Sequence, residues 1–451
     1  VYEGLGDEAL KVELGGYRGP ALQALLKAGV KVEDEIRITG DGLTYEGILV
    51  PRSEYGDEEH VVIKLRNGYN IGVRVTASTM VERLGAGAKL TFKPPRIREA
   101  GKDLPRVSIL STGGTIASRV DYRTGAVTPA FSASDLYSVV PELADIAVID
   151  TEVLFSIFSE DMTPRHWTKV AEAAAKHIEA GVDGLVVAHG TDTMGYTAAA
   201  LSFALQNLPV PLILVGAQRS PDRPSSDAAL NLVGAVKAAA QAPFAEVAVA
   251  MHAETSDEAV ALHRGTKVRK CHTSRRDTFK SINADPIALV KPDVLTMLTQ
   301  GYRSRDPERS LQLKPKFDEK VVLVKHYPGF NPDIIEGFVD LGYHGLILEG
   351  TGLGHVASGC LKALKHAYDR GVYVGMTSQC LWGRVDMYVY YTGRDLMAYG
   401  VVPLEDMLPE TALVKLMWVL GQTEDYGEVK RLMLTNIAGE FSPRTSYRWV
   451  S

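Results

Sequence analysis

Cysteine is scarce in this chain: Cys271, Cys360 and Cys380 are the only three among 451 residues. They are far apart and odd in number, which argues against a disulfide framework. With no CxxC or Cys/His spacing, no metal site is expected. Long hydrophobic runs are missing too. The longest, such as 184–188 and 211–217, are far too short to cross a bilayer, so no membrane association is expected. The first ten residues, VYEGLGDEAL, lack the basic and apolar segments of a signal peptide, and the expected location is cytoplasmic. Positive charge is not in excess: 49 Lys+Arg against 55 Asp+Glu give a net charge of −6. The whole-chain footprint of a nucleic-acid binder is therefore absent. What is present, 45% hydrophobic and 23% charged residues, is ample for a large core, and the length suits two to four domains.

The texture changes twice along the chain. Segments such as EIRITG, YEGILVP and HVVIKLRNGYNIGV alternate apolar and polar residues between Gly, Asp and Asn, and Asn67-Gly68 is a hairpin signal. With an apolar helix over 21–28, residues 1–92 are expected to form a small antiparallel β-barrel domain. A Pro-Pro pair and mixed charge mark 93–105 as a linker. Beyond it, short apolar runs alternate with helical stretches: VSILS, then GLVVAHG and YTAAALSFALQN, then LILVGA and AALNLVGAVKAAAQ. Such alternation predicts a parallel sheet with helices on both faces, with ligands beyond the carboxyl ends of the strands. This α/β domain is assigned to 106–304. A charged, Pro-containing linker is expected over 305–320 and a smaller α/β domain over 321–451.

Two clusters follow strands directly. Ser111-Thr112-Gly113-Gly114-Thr115 offers backbone N–H groups and a hydroxyl after a sharp turn; on spacing alone a tight turn with a threonine helix cap is the favoured reading. No Gly-Lys-Ser/Thr follows, so it is not a Walker-type phosphate loop. His189-Gly190-Thr191-Asp192-Thr193 puts two hydroxyls, a carboxylate and an imidazole at another strand end. Asp192 or Thr193 is an equally good cap for the helix that follows, and His189 alone suits a structural hydrogen-bonded role. A threonine nucleophile needs a base or a lysine, and neither cluster has a lysine.

Together, ILSTGGTIAS and GLVVAHGTDTM resemble the signature pair of the L-asparaginase/glutaminase family with a threonine nucleophile, over about residues 106–440. The resemblance implies a two-domain asparaginase-like α/β core, with Thr115 attacking a side-chain amide to form an acyl-enzyme. It implies a second catalytic group of Thr191, Asp192 and Lys270, the lysine coming from KVRKCHTSRRDTFKSIN. Tyr122, alone in the loop after the nucleophile, would be the activating tyrosine. Gly114, Ser159, Glu160, Thr191 and Asp192 would hold the amino-acid substrate. Glu160 stands where many bacterial members have Gln, which bears on side-chain-length selectivity.

The hundred residues before the TGGT strand are the second clue. VEDEIRITGDGLTYEGILVPRS and LRNGYNIGV resemble the N-terminal domain of the family of archaeal glutamyl-tRNA(Gln) amidotransferase D subunits. That resemblance implies hydrolysis of L-glutamine to supply ammonia to a partner E subunit, which converts Glu-tRNA(Gln) to Gln-tRNA(Gln). It implies no cofactor in this chain, ATP and Mg²⁺ on the partner, and a homodimer within a heterotetramer. The alternative is a stand-alone cytoplasmic L-asparaginase. It would use the same residues and need no partner.

Overall fold

The computed structural model describes residues 14, 16–52, 56–65, 70–85, 103–113, 118–121, 126–129, 136, 140–219 and 226–445. Helix α1 (Gly19–Ala28) has a proline in its first turn and ends at Gly29, whose φ of 62° lets its N–H reach the last carbonyls. Strands β1 (Glu35–Gly40), β2 (Leu43–Leu49), β3 (His60–Lys64), β4 (Asn70–Arg74) and β5 (Met80–Gly85) follow. They form one antiparallel sheet in the order β4-β3-β2-β1-β5. Ala21 and Leu25 of α1 bury against Ile36, Ile38, Leu49, Val61 and Ile63. The expected β-barrel is thus a five-stranded antiparallel sheet, and no ladder joins β4 to β5 among the described residues. The turn at Asn67-Gly68 lies outside them, although β3 and β4 pair as a hairpin should. Several arginines of this unit sit against acids: Arg37 with Glu46 and Glu82, Arg83 with Asp34, Arg74 with Glu59.

The core begins with β6 (Arg106–Ser111), followed by the paired strands β7 (Ser118–Asp121) and β8 (Ala126–Pro129). Next come β9 (Val148–Val153), α2 (Pro164–Glu179), β10 (Gly184–Ala188), α3 (Met194–Ala204), β11 (Leu205–Gln206) and β12 (Leu212–Val215). Helix α4 (Ala228–Gln241), β13 (Val247–His252), β14 (Val260–Arg264), β15 (Val268–Lys270), β16 (Phe279–Ser281), β17 (Ala288–Val290) and β18 (Leu295–Met297) complete this unit. The main sheet runs β18-β17-β14-β13-β12-β10-β6-β9. It is parallel from β13 to β9 and antiparallel through β14, β17 and β18, so the expected parallel sheet is mixed. The reason is local: the short connection from β13 to β14 holds no helix to carry the chain back for a parallel crossover.

Helix α2 shows how the sheet is covered. Thr163 and His166 form a capping box, Pro164 opens the helix, and Trp167, Val170, Ala171, Ala174 and Ala175 are buried at helical spacing. Helix α3 is apolar on all sides. Met194, Ala198 and Leu201 face the sheet, whereas Ala199, Ala200 and Phe203 pack with the C-terminal unit. It is the seam between the two, and its alanines allow close approach.

After β19 (Gln312–Leu313) the C-terminal unit alternates β20 (Val321–Lys325), α5 (Asp333–Asp340), β21 (Gly345–Gly350), α6 (Leu361–Asp369), β22 (Tyr373–Ser378), α7 (Tyr391–Ala398) and β23 (Val401–Pro403). Helices α8 (Pro409–Leu420) and α9 (Tyr426–Met433) follow, and the sheet β20-β21-β22-β23 is parallel throughout. The charged stretch 305–320 is docked along its length. Arg305 donates to the carbonyls of Ala240 and Asp183, Arg309 to that of Leu208, and β19 pairs with β11.

Two buried ion pairs bind the C-terminal segment. Lys415 Nζ lies 2.5 Å from Glu440 Oε1, both side chains fully buried, and also donates to the carbonyls of Met433 and Thr435. Lys267 Nζ lies 2.7 Å from Asp406 Oδ2 with both side chains at most 2% exposed. Burial pushes both ammonium groups downward in pKa, and the carboxylate partners oppose that shift.

Candidate active site

The two clusters meet at neighbouring strand ends. β6 and β10 are adjacent and parallel, and Thr112 N–H donates to the Ala188 carbonyl at 3.0 Å. Gly113 has φ 115°, and a Cβ there would lie 2.3 Å from the Ile157 carbonyl oxygen. Only glycine fits, and this brings segment 157–160 over the strand end. The same logic holds at Gly190, where a Cβ would lie 2.8 Å from Ser159 Cβ. Ser159 is buried on that contact, and Glu160 beside it is exposed. Gly114, Thr115 and Tyr122 lie outside the described residues, as do 123–125.

The lysine missing from either cluster arrives from β15. Lys270 Nζ donates to Thr191 Oγ1 at 2.9 Å and to Asp192 Oδ1 at 2.7 Å. Its side chain is 15% exposed against 68% for Asp192. Lys270 sits at the end of a β15–β16 hairpin whose register pairs it with Phe279, a core residue. Thr191, Asp192 and Lys270 are therefore together, and Ser159 and Glu160 are on the adjoining turn. Neither Asp192 nor Thr193 caps α3 with its side chain; the Thr193 hydroxyl donates to the Ser159 carbonyl at 2.6 Å instead.

His189 has a different task. It is buried, with Nδ1 2.6 Å from the Gly190 carbonyl and Nε2 2.9 Å from Thr197 Oγ1. Thr197 Oγ1 accepts in turn from Trp167 Nε1 at 3.1 Å. This chain is complete with a neutral ring: Nδ1–H donates and Nε2 accepts. Burial pushes the imidazole down to about 4, although the bond to Gly190 favours the charged form. Burial, then the charge of Lys280, takes His263 down to about 3. In the unfolded chain both return to about 6.5, so unfolding takes up roughly one proton per ring near pH 5. The stabilisation from His189 is complete above about pH 6.5 and is lost as pH falls through 4, about 3 kcal/mol in all. The expected result is a loss of stability between pH 6.5 and 4 that becomes shallower in His189→Gln. Denaturant titrations across that range measure it; an unchanged slope would remove His189 as the cause.

A third strand end contributes something the sequence did not suggest. After β12, the fully buried Asp227 carboxylate accepts from the backbone N–H of Gln218 at 3.0 Å and of Arg219 at 2.9 Å, and from Asn231 Nδ2 at 2.9 Å. The signal was available, since LILVGAQRS repeats the pattern of a strand followed by a polar loop. Among the described residues there is no group of three or more His, Cys, Asp or Glu able to hold a metal, and no helix long and apolar enough to cross a membrane.

Comparison with known proteins adds three matching family models. "Asparaginase, N-terminal" matches residues 106–301 and "Glutaminase/Asparaginase C-terminal domain" matches 320–433. "GatD N-terminal domain" matches 30–84. The glutamyl-tRNA(Gln) amidotransferase D subunit of Pyrococcus furiosus is 53% identical over 93% of this chain and 97% of its own length. The D subunit of Methanopyrus kandleri is 51% identical over 95% of both. Among solved structures, the thermostable L-asparaginase from Thermococcus kodakarensis has a TM-score of 0.68 at 33% identity, covering 75% of this chain and 99% of its own. L-asparaginase I from Vibrio cholerae has a TM-score of 0.64 at 30% identity, with the same coverage. The asparaginases thus account for three quarters of the chain, and the amidotransferase sequences for nearly all of it.

Proposed function

The chain belongs to the family of glutamyl-tRNA(Gln) amidotransferase D subunits, and from that premise we propose how its own residues release ammonia from L-glutamine. It is the glutamine-hydrolysing subunit of such an amidotransferase, built on an asparaginase-type core. The observation that carries the residue assignments is the pair of hydrogen bonds from Lys270 Nζ to Thr191 Oγ1 and Asp192 Oδ1.

In the proposed reaction, Ser159, Glu160 and Asp192 hold the α-amino and α-carboxyl groups of glutamine, with Gly114 and Thr191 lining the same subsite. Asp192 Oδ1 is engaged by Lys270, and its exposed carboxylate suits an ammonium partner. Thr115 Oγ attacks the side-chain amide carbon, and Tyr122 or the Thr191–Lys270 pair takes its proton. That proton passes to the leaving nitrogen, the C–N bond breaks, and ammonia departs. Water then hydrolyses the acyl-enzyme to glutamate and free Thr115. No step calls for a cofactor in this chain. The partner is an E subunit that binds Glu-tRNA(Gln), ATP and Mg²⁺, with two copies of each subunit in a cytoplasmic heterotetramer. The ion-paired arginines of the N-terminal sheet fit a division of labour in which the partner holds the nucleic acid.

The test is ammonia release from glutamine and from asparagine by the purified chain, with and without an E subunit and Glu-tRNA(Gln). The expected outcome is glutamine turnover that rises strongly when both are added. Fast, partner-independent turnover of asparagine would instead make the chain a free asparaginase.

A further inference from the structure

Strand β15 is only three residues long, and side chains alternate along a strand. Lys270 reaches Thr191 and Asp192. Arg269, one residue earlier, reaches the other way: its Nη2 lies 3.2 Å from Glu410 Oε1 on the C-terminal unit. Glu410 is in the first turn of α8, where the positive end of the helix favours a carboxylate. The pair is half-buried, 34% and 19% exposed, and Glu410 Oε2 is buried without a hydrogen-bond partner among the described residues. Tyr196, on the seam helix α3, feels the same pair. Burial first, and then Glu410, push its phenol up to about 12, against the pull of Arg269.

The rest of the hairpin is tied to the C-terminal unit at its base. Thr411 Oγ1 donates to the Thr266 carbonyl at 3.0 Å, and Thr266 Oγ1 donates to that of Ala438 at 3.0 Å. Lys267 is ion-paired with Asp406, and Asn283 Nδ2 donates to the Gly383 carbonyl at 3.0 Å. Those contacts fix where the hairpin starts and ends. Arg269–Glu410 is the anchor nearest the working lysine, on the opposite side of the strand.

We propose that Arg269 and Glu410 are positioning residues for ammonia release: their ion pair holds β15 so that Lys270 meets Thr191 and Asp192, and it makes catalysis depend on the C-terminal unit. The proposal rests on the reading of Lys270 as catalytic. A shift of about 1 Å in a catalytic group costs up to roughly a hundredfold in rate, whereas a pair that only joins the two units would alter stability and leave turnover intact.

The experiment measures kcat and KM for glutamine in the full chain with its E subunit, for Glu410→Gln, Arg269→Glu and the swapped double variant Arg269→Glu/Glu410→Arg. Lys270→Met is the reference. Glu410→Gln is expected to lower kcat by about tenfold to a hundredfold with KM within about twofold, and the swap to recover at least about tenfold over Arg269→Glu alone. Glu410→Gln within about threefold of wild type, with Lys270→Met inactive, would overturn the positioning role and leave Lys270 in place. Turnover retained in Lys270→Met would remove the catalytic reading itself. Should the Arg269→Glu chains not fold, the near-isosteric Glu410→Gln decides alone.

Discussion

Replacing Lys270 by methionine is expected to lower kcat for glutamine hydrolysis by at least about a thousandfold, and Thr115→Ala should do the same. Methionine keeps the length and apolar stem of lysine, so the β15–β16 hairpin retains its packing while both donors to Thr191 and Asp192 are lost. Residues that act as a unit do not add. The double variant Thr115→Ala/Lys270→Met should therefore be hardly slower than either single one. Asp192 is assigned both to the substrate ammonium and to the group with Thr191 and Lys270, so Asp192→Asn should raise KM and lower kcat together. Steady-state ammonia release separates these outcomes, and near wild-type kcat in Lys270→Met would end its assignment.

The largest effect on stability is expected at Glu440. Glu440→Gln leaves the Lys415 ammonium fully buried with two carbonyls and no counter-charge, a defect of about 3–5 kcal/mol. It also replaces one carboxylate oxygen by an amide NH₂ beside the N–H groups of Ile437 and Ala438, both of which donate to Glu440. Lys415→Met/Glu440→Gln removes the stranded charge and keeps a carbonyl oxygen for those N–H groups. It should be more stable than Glu440→Gln alone. A chain of several units need not unfold in one step. Hydrogen exchange over 433–442 is therefore the suitable measurement, and protection equal to wild type in Glu440→Gln would refute the expectation.

The elements that were legible in the sequence have a common physical basis. VSILS and GLVVAHG are short apolar runs ending in glycine-bearing polar clusters, and the glycines at 113 and 190 mark where the backbone must approach Ile157 and Ser159. The sense of the strands was less visible, because an apolar run looks the same in either direction and the antiparallel return at β14 depends on a short connection. The stretch 305–320 has the composition of a free linker. Yet Arg305 and Arg309 use their guanidinium groups on carbonyls such as Ala240 O, near the end of α4, and Leu208 O. Charge that suggests solvation in the sequence serves here to satisfy backbone. The partnership of Arg269 with Glu410 had no local trace at all, since the two residues meet only through the folding of the C-terminal unit against α3.

The anchoring of the β15–β16 hairpin also bears on how the protein is made. Lys270 is translated well before Asp406, Glu410, Ala438 and Ser442, and the Ser442 N–H itself braces Asp406 against Lys267. At about 5–20 residues per second, roughly 10–35 s separate the appearance of the lysine from that of its last support. A nascent chain can close the main sheet in that interval and pack Val268 and Phe279 of the hairpin against it, but without the contacts from the C-terminal unit. On the positioning role proposed for Arg269 and Glu410, a chain still lacking the C-terminal unit is expected to release ammonia from glutamine more slowly than the finished protein.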